Sequence, residues 1–199
     1  GIYQANYRLG IFMMLVVSMF DYAWKPFFFA TAKEPNAKEI FSRVTTYFYL
    51  LMTVVFLVIS LFIEDIVKIH VLNRYIIHPN YWVGLNIVPV VLAAYLLNGL
   101  ALTFSAGIYI KKRTLFLPIT TIISAATNVL VNLLLIPKMG IMGAAIATLL
   151  SYFVMAASTF YFSQRIYPVQ YELSRIFIIT VSLVLCFIFF KLLSGVIVT

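Results

Sequence analysis

Six long apolar runs, each separated from the next by a short polar segment, constrain this chain more than any other feature. They cover about residues 9–29, 44–63, 83–110, 115–136, 141–162 and 176–198. About 20 apolar residues at a rise of about 1.5 Å cross a hydrocarbon core about 30 Å thick. In that core every backbone polar group must bond within its own segment, which selects helices. The fold expected is therefore all-α, a polytopic membrane bundle of six transmembrane helices. Composition agrees: 64% of the 199 residues are hydrophobic and only 10% are charged. A water-soluble domain averages about 45–50% apolar and about 25% charged, so a soluble enzyme and a disordered chain are both excluded.

The net charge of +8 would suggest nucleic acid in a soluble protein. Here its distribution fits loops and lipid headgroups instead, and no nucleic-acid partner is expected. Six spans put alternate loops on opposite sides. One side carries Lys33, Lys38, Arg43, Lys111, Lys112, Arg113, Arg165 and Arg175; the other carries Arg8, Lys68, Arg74 and Lys138. The positive-inside rule makes the richer side cytoplasmic. Pro89, inside the third run, predicts a kink. Pro118 falls near the start of the fourth, where a missing N–H costs little. Pro137 predicts the tight turn between the fourth and fifth. The segment from Glu64 to Trp82 reads as the largest outer connection, a helix end or interfacial stretch whose Tyr75, Tyr81 and Trp82 suit the aromatic belt.

Polar residues inside the runs are the candidate functional groups. Asp21 and Lys25 lie four apart on one face of the first run and can pair. Intramembrane charges normally face the bundle interior or a watery cavity. The pair is thus a site for a charged substrate or a proton or cation relay, or else a local ion pair with Lys25 reaching the interface. Thr121, Ser124, Asn128 and Asn132 form a stripe along the fourth run, which fits interhelical hydrogen bonding or the lining of a transport cavity. The second run carries Thr46, Tyr49, Thr53 and Ser60, whose hydroxyls can bond their own helix. In the third, Asn98 and Ser105 share a face, and Asn86 lies near the outer end. Gly140, Gly143, Ala144, Ala147 and Ser151 give small-residue spacing that suits close helix packing. No Gly-rich phosphate loop is present, and His70 and His78 lack metal spacing, so no cofactor or metal is expected. Glu64, Asp65, His70, Arg74 and His78 on the outer connection leave room for a membrane glycosyltransferase or polymerase.

Four stretches resemble one family, the bacterial polysaccharide biosynthesis proteins: the oligosaccharide-lipid flippases of the multidrug/oligosaccharidyl-lipid/polysaccharide (MOP) superfamily, which are MATE-like. They are GIYQANYRLG; IYIKKRTLFLPITTIISAATNVLVNLLLIPKMGIMGAAIATLLSYF; RIYPVQYELSRI; and the Trp24–Pro26 region. The second is the most specific, with its spaced pair Asn128 and Asn132, then Pro137, Gly140 and Gly143. The resemblance covers nearly the whole chain and implies the C-terminal lobe of such a flippase. The cluster Lys111–Arg113 would then lie inside, as the charge count also requires. It implies an N-terminal lobe and a final span beyond this chain, so the chain alone is not expected to transport.

The resemblance also implies alternating access between two six-helix lobes in a bacterial inner membrane. The cargo would be an undecaprenyl-pyrophosphate oligosaccharide, moved with a coupling cation or proton and without enzymatic chemistry. Lys25 or Arg8 would meet the pyrophosphate. Asp21, Asn98, Asn128 and Asn132 would face the cavity. A multidrug or cation exporter of the same superfamily remains the nearest alternative.

Overall fold

The computed structural model describes residues 7–71, 74–75 and 78–197. A 3₁₀ turn (Arg8–Gly10) leads into α1 (Ile11–Thr31), followed by α2 (Ala37–Lys68). A two-stranded antiparallel hairpin follows, β1 (His70–Val71) with β2 (Arg74–Tyr75). The 3₁₀ segment Pro79–Ile87 runs into α3 (Val88–Phe104), and a break at Ser105 separates it from α4 (Ala106–Ile110). Then come α5 (Phe116–Met139), α6 (Ile141–Ile166) and α7 (Leu173–Ile197). Six helices are long and apolar enough to cross a membrane, α3 and α4 counting as one with the end of the 3₁₀ segment. The chain is an all-α polytopic bundle.

The spine of the bundle is α3. It packs against α6, α2 and α1, while α5 lies mainly on α6 and α7 mainly on α2. Two thirds of the α3 span (67%) is buried, against 11% for α5 and 6% for α7. Met13, Val17, Trp24 and Phe28 make the buried stripe of α1. Trp24 packs edge-on to Phe28 and Phe41, and Phe20 stacks on Phe48 of α2 at 3.7 Å between centroids. The outward faces carry large apolar side chains in the open, such as Leu130, Leu133 and Leu134 on α5 and Phe177, Leu185 and Phe189 on α7. In water such patches would drive association; in a bilayer they meet lipid, and packing rather than the hydrophobic effect holds the helices together.

Several local expectations are corrected. The second span is longer than its apolar run. Helix α2 covers 32 residues, because the polar segments at both ends stay helical and Arg43 donates to Glu39 one turn away at 2.6 Å. Pro89 does not kink a helix; it stands in the first turn of α3, where the 3₁₀ segment gives way to the α-helix. The interruption lies instead at Ser105, whose hydroxyl donates to the Leu102 carbonyl at 2.7 Å.

Pro137 lies inside the last turn of α5, and the turn itself is the single residue Gly140, at φ 56° and ψ −129°. That conformation suits glycine because a Cβ would be strained there. Among the described residues, the other with a positive φ is Lys112, at 55°. It ends α4 with a paired cap: the Lys112 N–H donates to the Tyr109 carbonyl and the Arg113 N–H to that of Ile108. Glycine is the usual occupant of this position.

The loops predicted to be cytoplasmic gather at one end. Lys38 lies 4.9 Å and Lys111 5.9 Å from the centre of the Tyr167 ring. Ser42 donates to the Gln170 carbonyl at 2.8 Å, tying the linker before α7 to α2. In the same linker Tyr171 is 9% exposed, and its hydroxyl has no partner among the described residues. Burial pushes this phenol above its ordinary value of 10.0. A phenol that resists ionisation when folded stabilises the fold fully below the unfolded value, and that stability is lost as the pH rises above it. Tyr171→Phe removes an unsatisfied hydroxyl. We expect it to be at least as stable as wild type at neutral pH, by up to about 1 kcal/mol. It should also extend the folded range in alkali, as read by thermal unfolding in detergent across pH.

The hydroxyls of α2 behave as interior groups. Thr46 and Thr53 bond back to Ser42 and Tyr49 carbonyls. Tyr49 reaches across to α7, with its hydroxyl 2.8 Å from that of Thr180. Thr180 also donates to its own Ile176 carbonyl, so losing the tyrosine hydroxyl orphans nothing. Tyr49→Phe should therefore cost only about 0.6 kcal/mol. It should raise proteolytic or labelling access along α7, where the contact lies, more than along α3.

Candidate functional site

Asp21 and Lys25 flank one edge of the buried stripe of α1, as i and i+4 positions do on one helical face. Lys25 Nζ donates to Asp21 Oδ2 at 2.7 Å. The lysine is the outer partner, with its side chain 47% exposed against 29% for the aspartate. One residue on, Pro26 has no N–H to return to the Tyr22 carbonyl, so the α1 ladder is broken at the level of the lysine.

Between α1 and α5 lies a groove of about 230 Å³. Its walls are Asp21 and Lys25 on one side and Leu117, Thr120 and Thr121 on the other. Its floor is Asn98, Ala101, Leu102 and Ser105 from the α3 region, Tyr109 of α4, and Met155 and Thr159 of α6. Thr120 and Thr121 both donate to the Leu117 carbonyl at 2.9 Å. With their protons committed, both oxygens remain able to accept. Asn98 is half-buried. The groove thus combines one ammonium, one carboxylate, one amide and several hydroxyls in a mostly apolar surround. Such a set can hold a small charged or polyhydroxylated group by hydrogen bonds that lipid cannot replace.

Three candidates, Asp21, Lys25 and Asn98, are brought together here, with Ser105 beside Asn98 as their shared face requires. Asn128 and Asn132 are not among the groove's lining residues. They lie further along α5, about 10 Å and more from Thr121 by helical rise, and turn to the seam with α6. Ser124 Oγ donates to the Ser151 carbonyl at 2.8 Å. Asn128 Nδ2 donates to Ser151 Oγ at 3.4 Å, and Asn132 Nδ2 to Asn128 Oδ1 at 2.9 Å. The stripe therefore divides: Thr121 faces the groove, Ser124 and Asn128 bond across to α6, and Asn132 bonds Asn128 within α5. The seam is close because Gly143 is bare; a Cβ there would lie 2.5 Å from the Leu135 carbonyl oxygen.

Arg8 belongs to the first 3₁₀ turn, but its side chain lies outside the described residues, as do those of His70 and Arg74 and the first six residues of the GIYQANYRLG stretch. Asn86 is exposed, in the 3₁₀ segment that leads into α3. Sequence reasoning did not single out Thr120, Tyr109 or Thr159. Thr120 neighbours a residue of the polar stripe, which is the one signal that could have found it. Comparison with protein families, characterised proteins and solved structures finds no match for the chain.

Proposed function

We propose that the chain is one six-helix lobe of an alternating-access flippase. It would move an undecaprenyl-pyrophosphate oligosaccharide from the cytoplasmic to the outer leaflet of a bacterial inner membrane, with an N-terminal lobe as its partner. The observation that carries this reading is the groove between α1 and α5, in which the more exposed member of the charge pair is the cation Lys25. A protruding ammonium favours an anionic ligand, and a diphosphate offers it charge-assisted bonds. The same feature disfavours a cationic drug as cargo.

The groove, at about 230 Å³, suits a diphosphate head and is too small for a glycan. In this proposal Asn98 and the threonine oxygens of the groove meet the hydroxyls of the first sugar beside the diphosphate, and the rest of the glycan lies between the two lobes. Asn128 holds α5 to α6 in this scheme, and Asn132 bonds Asn128. The chain breaks no bond of its cargo, and a proton or cation supplies the drive.

The test is reconstitution of the whole protein, both lobes together, into vesicles carrying a fluorescent polyprenyl-pyrophosphate oligosaccharide. Loss of the label to an external quencher, or to an external glycosidase, reports movement between leaflets. The expected result is faster exchange than in protein-free vesicles, for the glycolipid and not for a fluorescent cationic drug. The opposite preference would sink the flippase reading in favour of an exporter.

A further inference from the structure

At the end where the basic loops gather, a second cavity of about 500 Å³ is lined by Lys111, Arg113, Phe116, Arg165 and Ile166. Three cations border it and no carboxylate does. The contrast with its neighbour is direct. The larger cavity beside Lys38 and Arg43 also contains Glu39 and Glu172; Glu39 pairs with Arg43 at 2.6 Å and Glu172 with Arg175 at 2.9 Å. In the smaller one, Lys111 and Arg165 have aromatic neighbours instead, Tyr167 at 5.9 Å and Tyr161 at 5.0 Å from the ring centroids. Positive charges held together without an acid lack a counter-charge from the protein.

The surroundings describe what can supply it. Phe116 lies 4.8 Å from Phe162 between ring centroids. Leu115 and Tyr161 stand 72% and 52% exposed. The site is thus cationic at its rim and apolar just beside it, on the face that meets lipid. Helix α5 opens at the same place with Leu115 as its cap residue and no side-chain cap, so the positive end of its dipole adds to the field. The cap of α4, with Lys112 in the left-handed conformation, sets Lys111 and Arg113 on the cavity while Lys112 is not part of its lining.

We infer that this cavity binds the phosphate of an anionic phospholipid headgroup, with the acyl chains lying along Leu115, Phe116 and Tyr161. The inference stands apart from the flippase reading: it concerns a resident lipid at the bundle edge and makes no use of the α1–α5 groove. Basic pockets at the cytoplasmic ends of transmembrane helices have the charge and depth for such headgroups.

The test uses the full chain in nanodiscs of phosphatidylcholine doped with phosphatidylglycerol, with bound lipid counted by native mass spectrometry. Wild type should retain phosphatidylglycerol over phosphatidylcholine. The triple variant Lys111→Gln, Arg113→Gln, Arg165→Gln should lose that retention, by roughly fivefold for each charge removed. Lys33→Gln with Lys38→Gln, at the same end but outside the cavity, should keep it. The single variant Arg113→Gln, which disturbs the fold least, should show one step of the loss. Equal loss in the control pair would show a diffuse surface field and overturn the site, as would equal retention of the two lipids. Competition by inorganic phosphate, with no added affinity from the lipid, would assign the cavity to a free anion and overturn the lipid assignment.

Discussion

Gly143→Leu should unfold the α5–α6 pair more effectively than any other single substitution described. The obstacle is backbone, not a side chain that can rotate away. A Cβ at this position would sit 2.5 Å from the Leu135 oxygen and 2.6 Å from its carbonyl carbon, with the Ile136 nitrogen at 3.0 Å. The two helices would have to part, and their separation would stretch the Ser124–Ser151 and Asn128–Ser151 hydrogen bonds together. Overpacking a tight site costs about 1–3 kcal/mol, and each interhelical hydrogen bond in a membrane adds about 0.6 kcal/mol. A loss of about 3 kcal/mol, two orders of magnitude in the folded-to-unfolded ratio, is expected. Gly143→Ala should show a smaller loss of the same kind. Ala126→Leu, on the exposed face of α5, should change little. Equilibrium unfolding in mixed micelles checks all three, and an unperturbed Gly143→Leu would mean that α5 and α6 do not cross closely.

The second large effect concerns transport. Lys25→Ala in the whole two-lobe protein should lower glycolipid flipping at least tenfold, since a charge-assisted hydrogen bond is worth about 1.5–3 kcal/mol. That substitution alone is ambiguous, because it also strands Asp21 without its partner at 2.7 Å. A lone intramembrane carboxylate costs stability. The double variant Asp21→Asn, Lys25→Gln removes both charges and keeps the shape, so it should fold like wild type and still fail to flip. Asp21→Asn alone should retain activity, since it leaves the ammonium free for its ligand. Lys25→Arg should retain part of it. Recovery of flipping in the double variant would reduce the pair to a structural contact.

Much of the fold could be read from the chain because its signals are one-dimensional. Apolar runs give the helices, and the Lys and Arg distribution gathers the loops of residues 32–36, 111–115 and 167–172 at one end, where Lys38 and Lys111 converge on Tyr167. The Asp21–Lys25 pair was legible for the same reason, being local. What could not be read was which helix stands beside which. The stripe on α5 was visible, but a stripe does not say whether its neighbour is α6 or open space; the structure gives Thr121 to the groove and Asn128 to the seam. Thr120, Tyr109 and Thr159 carried no periodic signal of their own and join the groove only because four spans converge there. Pro89 misled in a related way, while Pro137 does precede the tight turn that the sequence predicts there. Pro89 acts in the first turn of its helix, where the missing N–H is cheap, whereas Ser105 breaks the third span without any proline.

Because a single residue, Gly140, separates α5 from α6, the two cannot enter the bilayer one at a time without dragging the turn through it. They should therefore insert as one unit, a helical hairpin whose two helices pair as they enter. The polar seam of Ser124, Asn128 and Ser151 would then be bonded before lipid reaches it. Lengthening the Gly140 turn should separate the two insertions and leave the seam groups of α5 unpaired on entry.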